Sequence, residues 1–326
     1  MAPPRALVAP DAFKGTFDAA TVADALARGL EAAGWVADRC PVADGGEGTT
    51  ELLVAALGGH VEMVRATDPL GRPVSGAIGF VADGATAIVE VAQASGLGVV
   101  AAGERDAWRA STRGTGELVV AAVAAGAREI LVAAGGSATT DGGCGAIEAI
   151  AAGGGLRGAR LVVLCDVETP WEDAPRVFAP QKGADAATVA RLEERLAAFA
   201  ARLPRDPRGM RATGAAGGLS GGLWAAFGAE LRPGAAVVLD ALGVDARMRA
   251  AQVVVAGEGC VDEQSFGGKV VGELVRRARV AAVPVHVVAG STRLEASAWA
   301  PAGLERVWVA STLAEIEAAG RALAES

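Results

Sequence analysis

A glycine-rich loop that follows an apolar run is the part of this chain best suited to bind an anion. Five glycines between residues 135 and 145 remove side chains, so backbone N–H groups could close around a phosphate or a carboxylate. Three hydroxyl side chains add donors. One aspartate supplies the only charge, and it would repel a bare phosphate unless a cation lay between them. The pattern indicates a metal-bridged phosphate or a polar substrate, although a plain strand-to-helix turn could have the same composition. The residues singled out in this loop are Gly135, Gly136, Ser137, Thr139 and Asp141.

Lysine is used sparingly, and each lysine lies next to a glycine. Of the 30 basic residues only Lys14, Lys182 and Lys269 are lysines, and arginine serves everywhere else. A compact ammonium beside a flexible backbone is well suited to contact phosphate oxygens. The placement therefore favours phosphate or substrate contacts over chance positions in a glycine-rich chain.

Acidic residues recur in the predicted loops and complete an inventory for phosphoryl transfer. Lysine and backbone N–H groups neutralise phosphate oxygens, carboxylates hold Mg²⁺, and one carboxylate can accept the proton of an attacking hydroxyl. Each carboxylate taken alone could equally cap a helix or lie in solvent. The candidates are Asp11, Asp44, Glu47, Asp141, Asp166, Glu258 and Asp262.

The loops that carry these residues follow predicted strands. Apolar strands at 5–9 and 35–40 are each followed by a loop and a helix, and Asp18 is placed to cap the first helix. This order is typical of a parallel sheet, whose ligands lie beyond the carboxyl ends of its strands. The residues expected to converge at that edge are Asp11, Lys14, Asp44 and Glu47.

The strand pattern changes after residue 60 and changes back near residue 234. Short strands with tight connections between 61 and 91 favour an antiparallel meander, and alternating strands and helices return towards the C-terminal end. We therefore expect an α/β protein of two domains, in which a parallel-sheet Rossmann/flavodoxin-like domain is interrupted by an inserted mixed α/β domain. The first would comprise residues 1–65 plus 235–326 and the second residues 66–234, with the active site in the cleft between them.

Composition and charge narrow the class of protein. The 326-residue chain has a formal net charge of −8, which argues against a nucleic-acid partner. It shows no apolar run long enough to span a membrane and no secretory signal at its start, so we expect a cytoplasmic protein. We expect its four scattered cysteines to be reduced thiols and its two histidines to be structural, which leaves no zinc site.

Several familiar motifs are excluded. Gly153, Gly155 and Gly158 match G-x-G-x-x-G, but a predicted helix precedes them and a strand follows, the reverse of a dinucleotide fingerprint. Lys269 is followed by Val270 rather than by Ser or Thr, so it does not belong to a P-loop. The chain has no Asn, which excludes the protein-kinase catalytic loop, and it has no G-x-S-x-G.

Seven blocks of residues follow one another from near the N-terminus to residue 269. They are Pro-Asp-Ala-Phe-Lys-Gly-Thr (10–16), Pro-Val-Ala-Asp-Gly-Gly-Glu-Gly-Thr (41–49), Gly-Gly-Ser-Ala-Thr-Thr-Asp-Gly-Gly (135–143), Cys-Asp-Val (165–167), Pro-Gln-Lys-Gly-Ala (180–184), Gly-Ala-Ala-Gly-Gly-Leu (214–219) and Gly-Glu-Gly-Cys-Val-Asp-Glu-Gln-Ser (257–265) with Gly268-Lys269. Together they resemble the bacterial glycerate kinases of the garK/glxK type. The resemblance implies ATP-dependent phosphorylation of D-glycerate, most often at the 2-hydroxyl, with Mg²⁺. The chain departs from the family pattern in being shorter between 145 and 165.

The resemblance and the residue types together assign hypothetical roles. The loop from 135 to 145 would hold phosphoryl oxygens together with Lys269, as the ATP site. The catalytic candidates are Asp44, Asp166, Asp262 and Lys14. Asp166 and Asp262 are also the candidate Mg²⁺ ligands, so the base and the metal ligand are not separated. The expected substrate contacts are Asp11, Lys14, Glu47, Lys182 and Glu258.

Two alternatives stay open at this stage. The chain could be a kinase for another small hydroxy acid, or a non-catalytic sensor that binds a small acid and reports to a partner. In each case the expected ligands are small molecules, glycerate and ATP in the first instance, with neither nucleic acid nor membrane involved. The sequence leaves the oligomeric state open.

Overall fold

The computed structural model describes residues 2–13, 15–266 and 269–325, which fall into two compact units. The first unit contains the chain up to Asp44 and from Ala235 onwards, and the second is Gly45–Gly234. Residues 45–65, which we expected in the first domain, belong to the second unit. The reason is that the strand beginning at His60 pairs along its whole length with the strand Pro73–Val81.

The strands and helices of the described residues alternate along most of the chain. The strands are β1 (Arg5–Pro10), β2 (Val36–Arg39), β3 (His60–Thr67), β4 (Pro73–Val81), β5 (Thr86–Glu90), β6 (Glu129–Ala133), β7 (Arg160–Cys165), β8 (Glu230–Pro233), β9 (Val253–Val261), β10 (Val285–Thr292) and β11 (Arg306–Val309). The helices are α1 (Ala19–Ala32), α2 (Thr49–Leu57), α3 (Val91–Ser95), α4 (Arg113–Ala124), α5 (Cys144–Ala152), α6 (Ala174–Phe178), α7 (Ala186–Ala200), α8 (Leu219–Phe227), α9 (Gly234–Ala241), α10 (Val244–Arg249), α11 (Val270–Ala281), α12 (Trp299–Ala302) and α13 (Leu313–Ala324).

The first unit is built on a five-stranded parallel sheet in the order β11-β10-β9-β1-β2. Its strands are short apolar runs of Ala, Val and Leu, which suit a sheet that helices cover on both faces. The side chains of α1 and α13 pack on one face, and those of α9, α10 and α11 pack on the other. Asp18 caps α1 as expected, because its Oδ1 accepts a hydrogen bond of 2.7 Å from the Thr21 N–H.

The second unit is built on a six-stranded mixed sheet in the order β3-β4-β5-β6-β7-β8. Strands β3, β4 and β5 pair antiparallel, which confirms the predicted meander, and β5 to β8 pair parallel. Its core is lined by side chains of α4, α5 and α8 against the apolar strands β5 to β7. The α/β class, with one parallel and one mixed sheet, is therefore as predicted. No helix in the described part of the chain has both the length and the apolar character needed to cross a bilayer.

Candidate functional site

A cavity of about 480 Å³ lies at the carboxyl edge of the parallel sheet in the first unit. Four of the predicted site residues line it: two directly follow β1 and β9, one lies in the last part of β9, and one directly precedes α11. Sequence reasoning missed three further lining residues, Ser291, Arg293 and Ser311, at the ends of β10 and β11. The strand ends alone could have drawn attention to them. The predicted residues in the cavity are Asp11, Glu258, Asp262 and Lys269.

The cavity contains opposite charges at short range. Lys269 Nζ lies 3.7 Å from Glu258 Oε1, and both side chains are partly accessible to solvent, 30% and 15% respectively. Asp11 Oδ1 accepts a 2.7 Å hydrogen bond from the Ala12 N–H. A mixture of carboxylates and ammonium in one crevice can hold both the hydroxyls and the carboxylate of a small polar acid.

One more predicted residue of the first unit lies within the described residues. Asp44 is only 4% exposed, and it lies two residues beyond Val42, whose N–H donates a 3.0 Å hydrogen bond to the Pro10 carbonyl at the end of β1. This hydrogen bond carries the chain after β2 along the carboxyl edge of the sheet. Lys14 lies outside the described residues, so its predicted role stays a prediction.

The predicted glycine-rich loop follows β6 in the second unit, and its conformation leaves donors available. The Gly135 and Gly136 N–H groups donate to no acceptor within residues 2–13, 15–266 and 269–325. A second glycine loop packs directly against this one, since a Cβ at residue 135 would lie 2.6 Å from the Gly46 Cα. Residues 45–49 and the loop 135–145, both in the second unit, therefore meet at residues 46 and 135. Consecutive backbone N–H groups of this kind can form an anion site.

Lys182 lies beneath this loop rather than at its surface. Its side chain is buried, and Nζ donates to Ser137 Oγ at 2.9 Å and to the Thr139 carbonyl at 2.6 Å. Burial lowers the pKa of the Lys182 ammonium to about 7, and the negative charge of Asp141 opposes the change. We expected Lys182 to contact substrate, but its ammonium is buried and donates its hydrogen bonds to the loop itself. The Ser137 hydroxyl keeps its own hydrogen to donate.

Asp141 is used to hold the same loop in place. One oxygen, Oδ2, accepts from the Thr112 N–H and hydroxyl at 2.9 and 2.8 Å and from the Gly145 N–H at 3.2 Å. The other, Oδ1, accepts from the Gly143 N–H at 3.0 Å. These bonds tie together the starts of α4 and α5 and leave the carboxylate little capacity for an outside ligand. Thr139 Oγ1 is buried and has no hydrogen-bond partner among the described residues, so its hydroxyl does not reach a surface.

Three carboxylates lie at or near the parallel strands of the second unit. Asp166 directly follows β7 and is half-buried, and Glu47 is exposed in the turn before α2. Glu90, which sequence reasoning missed, ends β5 and accepts a 2.7 Å hydrogen bond from the Thr50 N–H at the start of α2. Burial raises the pKa of Glu90, and hydrogen bonds from Thr50 and its neighbours oppose the change. The signal available in the sequence was a single acid inside an otherwise apolar run.

The described residues contain no group of three or more His, Cys, Asp or Glu side chains that could hold a metal ion. Mg²⁺ is usually bound by one or two carboxylates and completes its shell with water and substrate phosphates. Asp166 in the second unit and Asp262 in the first offer the oxygen ligands that Mg²⁺ prefers. The assignment of Asp166 and Asp262 as Mg²⁺ ligands stays a prediction. All four cysteines are free thiols, and burial raises the pKa of Cys165 to about 12.

Comparison with known proteins gives one consistent result. The family model described as the glycerate kinase family matches residues 6–154 and 154–325. A glycerate kinase of Bacillus subtilis is 37% identical over 93% of this chain and 89% of its own length. A glycerate 2-kinase of Escherichia coli is 36% identical over 87% of this chain and 84% of its own length. A crystal structure from Salmonella typhimurium that carries the glycerate kinase 2 name superposes with a TM-score of 0.83 at 32% identity, covering 99% of this chain and 97% of that one.

Proposed function

Because the chain belongs to the glycerate kinase family, we propose that it catalyses the ATP-dependent phosphorylation of D-glycerate at the 2-hydroxyl, giving 2-phosphoglycerate. The pair of unused N–H groups at Gly135 and Gly136, backed by a buried lysine, is the observation that carries the phosphoryl part of the proposal. The 2-position is supported by the name of the Escherichia coli relative.

The phosphoryl end of ATP would be held by the loop after β6. Gly135 and Gly136 would donate through their N–H groups and Ser137 through its hydroxyl, all three on backbone that Lys182 and Asp141 hold in place. Donors that are fixed before the substrate binds lose little entropy and need no reorganisation during the reaction. Lys182 therefore acts as a positioning residue, and we assign it no contact with phosphate.

Glycerate would occupy the cavity of the first unit. The Lys269 ammonium would pair with the glycerate carboxylate or a phosphate oxygen, and Asp11 and Glu258 would accept hydrogen bonds from its hydroxyls. Lys14 would add a second ammonium, as its position in the sequence predicts. Glu47 is exposed and stays a predicted substrate contact.

The base and the Mg²⁺ ligand would come from Asp44, Asp166 and Asp262. The metal supplies charge neutralisation of the phosphate oxygens when it is bound. The base accepts the proton of the glycerate 2-hydroxyl as that oxygen attacks the γ-phosphorus, and the bond from that phosphorus to the bridging oxygen of ADP breaks. Asp44 is the more buried candidate, and Asp262 lines the cavity proposed for glycerate.

Identification of the product by NMR tests the proposed reaction. With D-glycerate, ATP and Mg²⁺, ³¹P–¹H coupling should place the phosphate on C2. Phosphate on C3 would overturn the regiochemistry, and efficient turnover of hydroxypyruvate or lactate in place of glycerate would favour a kinase for another hydroxy acid. Glycerate binding without ADP release would favour a sensor.

Asparagine variants at the three aspartates can separate base from metal ligand. Removing the base should lower kcat by about 10²–10⁴ while the Mg²⁺ concentration for half-maximal rate stays unchanged. Removing a metal ligand should raise that Mg²⁺ concentration, and excess metal should restore part of the rate. Near-normal kinetics in Asp44→Asn, Asp166→Asn and Asp262→Asn alike would refute the assignment.

A further inference from the structure

A second cavity, of about 430 Å³, lies in the second unit on the far part of the glycine-rich loop. Its wall includes Asp141 and Gly145, but none of residues 135–139 lines it. The proposed phosphoryl site and this cavity therefore use different parts of one loop. The volume lies in the range of about 300–1,000 Å³ that small-molecule sites occupy.

A half-buried guanidinium forms part of the cavity wall. Arg195 is half-buried, and its Nη1 and Nη2 donate to the carbonyls of Trp108 and Thr140 at 2.7 and 2.9 Å. Both acceptors are neutral, and the described residues place no carboxylate in an ion pair with Arg195. Burial lowers the pKa of Arg195, and the charge of Asp141 offsets this only in part. A bound anion would remove this electrostatic cost.

Two exposed arginines extend the positive charge to the rim. Arg109 and Arg202 are exposed residues of the lining, and neither pairs with a carboxylate in the part of the chain that the structure describes. Two acidic side chains also line the cavity, the buried Asp141 and the exposed Glu148. Asp141 accepts four intrachain hydrogen bonds, and Glu148 accepts one from the Cys144 thiol at 3.4 Å. The lining therefore carries three guanidinium groups against two carboxylates, a net charge of +1.

The aromatic wall argues against a nucleobase as the ligand. The Trp108 ring already stacks with two guanidinium groups, Arg191 at 4.1 Å and Arg195 at 4.8 Å from its centroid. A base would have to displace one of these cation–π contacts to stack there. Three guanidiniums around a small cavity instead suit a compact dianion, which they can bind through paired N–H groups.

We propose that this cavity binds the phosphate group of a small phosphorylated metabolite, with Arg195 at the wall and Arg109 and Arg202 at the rim. The site is separate from the proposed kinase chemistry and does not depend on it. Because Arg195 also holds the Thr140 carbonyl, the ligand would contact the same loop that carries Gly135 and Gly136.

Calorimetric titration of the full chain with inorganic phosphate, without nucleotide and at low ionic strength, tests the site. The double variant Arg109→Ala/Arg202→Ala should weaken binding by about tenfold or more, because two charge-assisted contacts are lost. Both residues are exposed, so folding should be unaffected. Arg28→Ala, an exposed arginine of the first unit, is the control matched in residue type and should leave the Kd unchanged.

A second variant separates this site from the proposed active site. Lys269→Met should retain phosphate binding, since Lys269 lines the other cavity. Loss of binding in that variant, equal Kd values for wild type and the double arginine variant, or no binding at millimolar phosphate would each overturn the proposal. These outcomes do not depend on turnover, so a failed glycerate kinase assay would bear on the proposed function alone.

Discussion

Replacing Lys182 by methionine should change both the stability and the activity of the protein in a pH-dependent way. The substitution keeps the length of the side chain but removes the ammonium that holds Ser137 Oγ and the Thr139 carbonyl. The energetic balance is set by two opposing terms. One is the cost of burying a charge, and the other is the cost of leaving two polar groups without their partner.

The first term follows from the pKa of Lys182, which burial lowers from an ordinary value of 10.5 to about 7. That difference corresponds to about 5 kcal/mol against the charged form in the folded protein. Below pH 7 the lysine is protonated in both the folded and unfolded states, so the whole cost is present. Between pH 7 and 10.5 the unfolded chain binds more protons, so the stability of the wild type rises with pH.

The second term does not titrate in this range. Leaving Ser137 Oγ and the Thr139 carbonyl unsatisfied costs about 1–3 kcal/mol each. At pH 6 the cost of the two lost hydrogen bonds should nearly equal the cost of the buried charge that the substitution removes. Lys182→Met should therefore unfold at about the wild-type urea concentration. Near pH 10 Lys182 is neutral in the folded wild type, so no charge is buried there. The variant should then be less stable than the wild type by about 2–6 kcal/mol, from the two lost hydrogen bonds alone.

Urea unfolding followed by circular dichroism at pH 6, 8 and 10 measures this difference directly. Ser137→Ala is the matched control, because it removes one hydrogen bond but keeps the ammonium, so its pH dependence should follow the wild type. Glycerate kinase activity of Lys182→Met should fall by about 10- to 100-fold through misplacement of the loop. A stability difference that is the same at pH 6 and pH 10 would refute the reasoning about the buried charge.

Two further predictions concern the packing around the candidate site. Gly217→Ala should destabilise the protein by about 3 kcal/mol or more, because residue 217 has a φ of 67° and a Cβ there would lie 2.0 Å from the Thr139 carbonyl oxygen. Gly58 has a φ of 71°, but a Cβ there would meet no atom within 4 Å. Gly58→Ala should therefore lower the free energy of unfolding by only about 1–2 kcal/mol in the same urea assay. Glu90→Ala should cost about 1–3 kcal/mol through loss of the acceptor for the Thr50 N–H, whereas Glu90→Gln retains an acceptor oxygen. Because burial raises the pKa of Glu90, its ionisation destabilises the folded wild type as the pH rises. The stability of Glu90→Gln relative to the wild type should therefore increase between acid and neutral pH. Equal changes in the free energy of unfolding for the Ala and Gln variants would contradict this account.

Local patterns were sufficient for most of the secondary structure. A loop and a helix follow each of the first two strands as expected, and the predicted cap at Asp18 forms, since capping and helical periodicity depend on neighbouring residues. The boundary between the units was harder to predict. Residues 45–65 follow the strand–loop–helix order of the first unit, but β3 pairs with β4, and strand pairing is a non-local interaction.

Some features of the candidate site could be predicted from the sequence, and others could not. Residue types and the ordered blocks were enough to identify the glycine loop, the loop carboxylates and the family resemblance. Only the tertiary structure showed that Lys182 lies under the loop and that Asp141 accepts four intrachain hydrogen bonds. The same is true of Glu90, which accepts a hydrogen bond from the start of α2. A lysine beside a glycine has the same sequence whether its ammonium faces solvent or a buried carbonyl. The difference arises from which distant backbone groups surround it, and those are set by how the sheet and its loops pack.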